Sequence, residues 1–488
     1  MPSPLFSQGG LGKGRPIWHK HLCKQLLGPE RNSLFPMTQC SQTEFEFEPY
    51  GSRAVVARFD GGAMSSDGGA LLLRATDQRL NLLPRLAQCF DDHRNPWLIL
   101  HPVPELIAQR IYALALGYED VSDHDQLRDD PLLRVASGKP RAEKEALAGK
   151  STLNRLELST EQPNRYKKIA YRREAIDELL VTIFLEAHAE APEEIVLDLD
   201  VTDLPLHGHQ EGRFFHGYYD EYCYLPLYIF CGEHLLCARL RTADQDGAAG
   251  CTKEVARIVA QIRAWWPAVR IIVRGDSGFC RDELLTWCEE NGVQYVVGFA
   301  RNDKLRRMIE PHMREAAQQQ AATGKPARVF TEFVYQTTTG SWSRARRLVA
   351  KAEQLEGKEN PRYVVTNLLA EEWPAQPLYE QLYCARGEME NRIKEQLSLF
   401  ATRVSAETMR ANQLRVYFAA LAYVLVHGLR RLGLKGTELE RAQATTIRLR
   451  LLKIGTQIRI TTRKVWLSLA SSFPLQAVFA QAWMALRC

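Results

Sequence analysis

The sequence lacks the marks of a disulfide-stapled extracellular protein. Its 488 residues include 11 cysteines, an odd number, with no CxxC pair and no framework spacing. Reduced thiols in the cytosol are the natural reading. A membrane-spanning stretch is also missing. The longest apolar run, VYFAALAYVLV at 416–426, has 11 residues between Arg415 and His427, whereas a spanning helix needs about 20. That run predicts a buried core helix instead. No cleavable leader is visible, because the first 36 residues hold no continuous apolar segment. They match nothing downstream, so residues 1–44 are expected to be a disordered or upstream extension, with Met37 as the true start. No internal repeat is evident.

What is present is an ordinary globular composition, 45% hydrophobic and 25% charged, in a chain long enough for two or three domains. The net charge of +5 is unevenly spread. From Asn391 to Cys488 there are 12 Arg and 4 Lys against 4 Glu, a net +12, which leaves −7 for everything before. A basic C-terminal region beside an acidic remainder fits a polyanion partner, and equally fits a solvated, Arg-rich helical surface.

Along the chain, EFEFEPYGSRAVVARF (45–60) alternates as strands. Helical patterns dominate from about 66 to 187, including PELIAQRIYALALG with Gly117 as its C-cap. The short basic stretch around Lys150, Asn154 and Arg155 could belong to a DNA-reading helix pair or to a plain bundle. From 194 to 300 the order is strand, hairpin, helix, strand, helix, strand: a mixed α/β sheet with helices on its faces. After the polar AAQQQAATGKPA (316–327), three segments within 328–370 alternate as strands and read as a β-rich insertion. WPAQPLYEQ then returns the chain to a long helix.

Three acidic side chains stand out. Asp200 lies in EIVLDLDVTDLPLHG and Asp276 in VRIIVRGDSGF, both ending apolar, β-branched runs; Glu390 lies in YCARGEMENRIKE, on a helical stretch. A carboxylate in a buried strand needs a partner or a function. Asp198 and Asp200 point to one face by the period of two, so spacing does not choose between them and Asp198 stays an alternate ligand. GDSGF is a strand-to-helix turn of the kind that lines ligand crevices in α/β sheets. Its Ser277 has no His/Asp constellation to make it a nucleophile. Tyr383, Arg386, Glu390 and Lys394 recur at helical spacings on one side, which would set phosphate-binding groups beside the carboxylate. Such a set suits Mg²⁺, with Mn²⁺ as the alternative, because hard dications take oxygen ligands and join them to phosphate. Two of these ions serve phosphodiester chemistry. Cys231, His234 and Cys237, with His207, His209 and His216 upstream, make a zinc site conceivable. Gly232 and Glu233 also suit a plain hairpin turn there.

These residues together resemble the DDE transposases of bacterial insertion sequences, specifically the thirteen-eighty group of the four-like superfamily. The likeness rests on LDLDVTDLPLHGHQEG with FHGYYDEYCYLPLYIF, on VRGDSGFCRDELLTWCEENGVQYVVG, and on Tyr383, Arg386 and Glu390 in the family's tyrosine–arginine–glutamate spacing. It implies an α/β, RNase H-like catalytic core at 191–315 and 371–400, interrupted by the insertion at 316–370. A mainly helical DNA-binding domain at 45–190 and a basic helical region at 401–488 flank that core. It implies that Asp200, Asp276 and Glu390 are the catalytic, metal-holding triad, with Tyr383 and Arg386 on DNA phosphates. The family's lysine, seven positions after the glutamate, is Leu397 here; Lys394 is the candidate substitute. The implied activity is cut-and-paste transposition by a homodimer on terminal inverted repeats and target DNA, in the bacterial cytoplasm at the nucleoid. A catalytically silent DNA-binding derivative, or a nuclease that cuts without joining, is the alternative.

Overall fold

The computed structural model describes residues 44–139, 144–337 and 340–487; the expectation for residues 1–43 lies outside them. The chain divides into two compact units, 1–60 and 61–488. In the first, Phe45–Tyr50 and Arg53–Ala57 are the expected strands, and they pair as an antiparallel hairpin turned at Gly51 with φ +62°.

The second unit is built on a nine-stranded mixed sheet. Its main strands are β1 (Glu194–Val201), β2 (Leu227–Cys231), β3 (His234–Arg239), β4 (Arg270–Gly275) and β5 (Gln294–Phe299). They continue with β6 (Ala327–Tyr335), β7 (Arg346–Leu355) and β8 (Arg362–Thr366). The spatial order is β3-β2-β1-β4-β5-β8-β7-β6. The first three strands form an antiparallel meander, while β4 and β5 run parallel to β1. This is the RNase H-like arrangement that the resemblance implied. The meander turns at Gly232 and Glu233, with φ +57° at Gly232, as the hairpin reading of CGEHLLC predicts.

The strand pattern decides which side chains meet which layer. Ile195, Leu197 and Leu199 of β1 and Ile271 and Val273 of β4 share a core with α4 (Cys251–Trp265), α5 (Asp282–Glu290) and α6 (Asp303–Thr323). On the opposite face Ile272, Val296 and Val364 pack against Leu378, Tyr379 and Leu382. Period-two alternation therefore sends Asp198 and Asp200 to that second face, toward the helical segment that leads to Glu390.

Two organisational expectations change. The segment read as an insertion adds β6–β8 to the β5 edge by antiparallel pairing, so it widens the catalytic sheet. Its expected start at 316 falls inside α6, which Asn302 caps at one end and Gly324 at the other. The residues look polar because most of that helix faces water. The basic region 401–488, expected to be helical, also contains two paired strands, Thr456–Ile460 and Val465–Leu469. Helix α8 (Met409–Gly433) holds the run at 416–426 and is buried along nearly its whole length. It packs among α1 (Ala70–Leu80), α2 (Val103–Leu116) and α9 (Gln476–Arg487), and against β3, all in one hydrophobic core that also takes in α3 (Arg173–Glu186). Among the described residues, no helix is long and apolar enough to cross a membrane, and none of the described cysteines forms a disulfide.

Much of the C-terminal positive charge is consumed inside this body. Arg415 and Arg110 both bind the buried Glu157, at 2.8 and 2.6 Å. Arg430 binds Glu395 at 2.9 Å, Lys453 binds Asp67 at 2.6 Å, and Arg403 pairs with Asp120. Part of the charge asymmetry in the sequence thus serves to join segments far apart in the chain. Removing one member of a buried network leaves the others uncompensated. Glu157→Ala is therefore expected to cost about 3–5 kcal/mol in urea unfolding, with Arg415→Met costing less because Arg110 keeps the carboxylate paired.

Candidate active site

The site grows from the register of β1 and β4. Arg274 lies beside Asp198, and Gly275 beside Leu199. The next pair in that register is Asp276 and Asp200, so both carboxylates leave the C-terminal ends of adjacent parallel strands on one face. Asp276 begins a short 3-10 turn, Ser277–Phe279, and its Oδ1 accepts the Gly278 N–H at 2.8 Å. Asp200 Oδ1 accepts the N–H of Val201 at 2.9 Å.

Arg274 sets the surroundings of Asp198 apart from those of Asp200. Its guanidinium donates to both oxygens of Asp198, Nε to Oδ1 at 2.5 Å and Nη2 to Oδ2 at 2.7 Å, within a buried setting. A third donor, Nη1, reaches the Leu382 carbonyl at 2.5 Å. Asp198 is thereby spent on holding the sheet to the helical segment, and Asp200 is left for the site. Arg274 was missed in the sequence, although an arginine that follows the apolar IIV of VRIIVRGD, two residues before Asp276, is the signal.

The segment carrying the remaining candidates changes pitch along its length. Leu378–Tyr383 is a π-helix, Cys384–Arg386 a 3-10 turn, and α7 (Gly387–Ser398) an α-helix. Pitch changes of this kind recur at functional sites. They bring Arg386 between two carboxylates, with Nη1 3.5 Å from Asp200 Oδ2 and Nη2 3.3 Å from Glu390 Oε1. The Tyr383 hydroxyl lies against Gly298 of β5. A Cβ at Gly298 would stand 2.6 Å from that oxygen and 2.9 Å from the Ser277 nitrogen, so only glycine admits the approach. Lys394 is exposed, one turn beyond Glu390. Leu397 is half-buried and packs against the main core.

Electrostatics link the three acids. The Asp200 carboxyl is pushed up from 3.8 to about 6 by burial, and the charges of Asp276 and Glu390 add to the shift while Arg386 opposes it. A partly buried acid under that pressure, with oxygen donors on both sides, is the donor set of a hard dication. Yet among the described residues no three His, Cys, Asp or Glu side chains stand close enough to hold a metal ion. Arg386 occupies the gap between Asp200 and Glu390 as the counter-ion. The same finding applies to the conceivable zinc group: Cys231 and His234 pair beside the hairpin turn, while Cys237 lies further along the hairpin, opposite Ile229, and is buried. In the helical part, Lys150 is tied to Asp125 at 2.9 Å, which engages one of the residues named for a DNA-reading helix.

An RNase H-like sheet with acidic side chains at the ends of its adjacent parallel strands defines the class, that of DDE transposases. The chain matches the family model "Transposase DDE domain group 1" over residues 47–488 and belongs to that family. No curated protein matches it. Among solved structures it is similar to a piggyBac transposase, determined by cryo-EM as a synaptic complex with hairpin DNA. The identity is 11%, 80% of each chain is covered, and the TM-score is 0.40.

Two outcomes follow from this geometry. Gly298→Ala should displace the Tyr383 hydroxyl and lower DNA cutting by about 10²-fold, and should also lower the melting temperature, because the backbone at Ser277 must shift as well. Asp200 has a raised native pKa, so it favours the folded state at acidic pH and that contribution is lost as pH rises through about 6. Asp200→Asn should therefore exceed wild type by about 1–3 kcal/mol in metal-free unfolding at pH 7.5. The two proteins should converge near pH 4.

Proposed function

We propose that this transposase cuts DNA at the ends of its element and joins the freed 3′-OH ends to target DNA. Asp200, Asp276 and Glu390 are the catalytic carboxylates. The observation that carries this reading is the side-by-side placement of Asp200 and Asp276, with Arg386 bridging Asp200 to Glu390. When bound there, a pair of Mg²⁺ ions, or Mn²⁺ in their place, would activate the attacking oxygen and stabilise the departing one.

The chain's own residues do the positioning. Arg386 neutralises the carboxylates while no cation does, and its guanidinium is suited to turn to a phosphate oxygen. Tyr383, held close to Gly298, sets a hydroxyl donor beside the turn that bears Asp276. Lys394 supplies a point charge to the DNA backbone one turn further along α7. The mainly helical region 45–190 reads the terminal inverted repeats. Two ends require two sites, hence a homodimer on DNA, working in the bacterial cytoplasm at the nucleoid.

The test incubates the full-length protein with labelled element-end DNA and Mg²⁺, alongside Asp276→Ala. Cleaved and joined products should form with wild type and vanish in the variant. Equal activity in the variant would sink the assignment. Cleaved DNA without joined product would favour the nuclease reading instead.

A further inference from the structure

A groove of about 350 Å³ opens beside the carboxylates, where the sheet is widened by β6–β8. Ser277 and Tyr383 line one end, next to Asp276. Arg301, just past β5, and Lys358 and Arg362, around the start of β8, line the rest together with Glu359. All three cations are exposed, and none forms an ion pair with a carboxylate among the described residues. Their neighbours behave differently. Arg328 is held by Glu353 and Glu380, Arg346 by Asp282 and Glu289, and Arg347 by Glu332. Lone Glu359 leaves the groove with a net excess of positive charge. The charge of Arg362 is felt at the Tyr383 phenol, and that of Arg301 at the Tyr363 phenol, so the groove and the carboxylate site share one electrostatic field.

We infer that this groove binds the phosphates of the DNA strand on one side of the cut, with Arg301, Lys358 and Arg362 as its phosphate-binding groups. The inference rests on the proposed catalytic site for its location. Unpaired cations on a sheet where other arginines are neutralised have a polyanion as their natural counterpart. A strand whose cleaved phosphate lies at Asp200 and Asp276 must leave the site past Tyr383 or away from it, and the groove provides the first of these paths. On this view β6–β8 widen the sheet to carry the strand beyond the carboxylates.

The experiment compares the full-length protein with Arg301→Ala/Lys358→Ala/Arg362→Ala, and with the charge-retaining Arg301→Lys/Arg362→Lys. Binding to an element-end duplex with DNA on both sides of the cut is measured by fluorescence anisotropy between about 50 and 200 mM salt. The alanine variant should flatten the slope of log K against log salt by about 3, close to one unit per lost phosphate contact. The lysine variant should keep the wild-type slope. Two further duplexes, each ending at the cut, remove one side in turn; on one of them wild type and alanine variant should bind alike. A wild-type slope for the alanine variant, or an equal deficit on both shortened duplexes, would overturn the groove. Loss of slope in a protein whose wild type cuts no DNA would leave the groove standing and defeat the catalytic reading. Cutting by wild type with unchanged slopes would do the reverse.

Discussion

The ion pair between Asp198 and Arg274 is the constraint on which the site depends. It sits on adjacent parallel strands in direct register, buried, with both carboxylate oxygens satisfied and a spare guanidinium donor given to the Leu382 carbonyl. A buried charge is tolerated only when its partner and its hydrogen bonds are complete. Completing them here fixes three things at once: the register of β1 on β4, the face that receives Asp200 and Asp276, and the docking of the segment that continues to Tyr383, Arg386 and Glu390.

A second use of charge holds the rest of the body together. The acidic first part of the chain and its basic last part meet through Glu157, Asp120 and Asp67 on one side and Arg415, Arg403 and Lys453 on the other. Helix α8 supplies the apolar counterpart, with one helix buried among elements from both ends of the sequence. Long-range closure of this kind makes the helical regions and the sheet one unit, although their residues are hundreds of positions apart.

Local signals carried much of the sequence reading. Alternation in EIVLDLDV and VRIIVRGD announces strands whose last side chains are acidic, and the turn at Gly232 and the cap at Gly117 follow from glycine's access to positive φ. The strands of 328–370 were legible too, but not their destination, because alternation gives a strand its faces and says nothing of its neighbours. Lys394 and Leu397 show the same limit: the sequence offers a shifted lysine, and only packing shows that position 397 faces the core.

The chain's own order of residues determined the element types, the strand-end location of Asp200 and Asp276, and the helical phase of Arg386 and Glu390, since each depends on neighbours within a few positions. Tertiary structure alone decided that Asp198 is locked in a buried bidentate pair with Arg274 while Asp200 meets Arg386 at 3.5 Å, that Gly298 must lack a side chain, and that the basic end closes on the acidic one. Those outcomes arise from contacts between groups distant in the chain, whose free energy exists only once the strands are in register and water has been excluded between them.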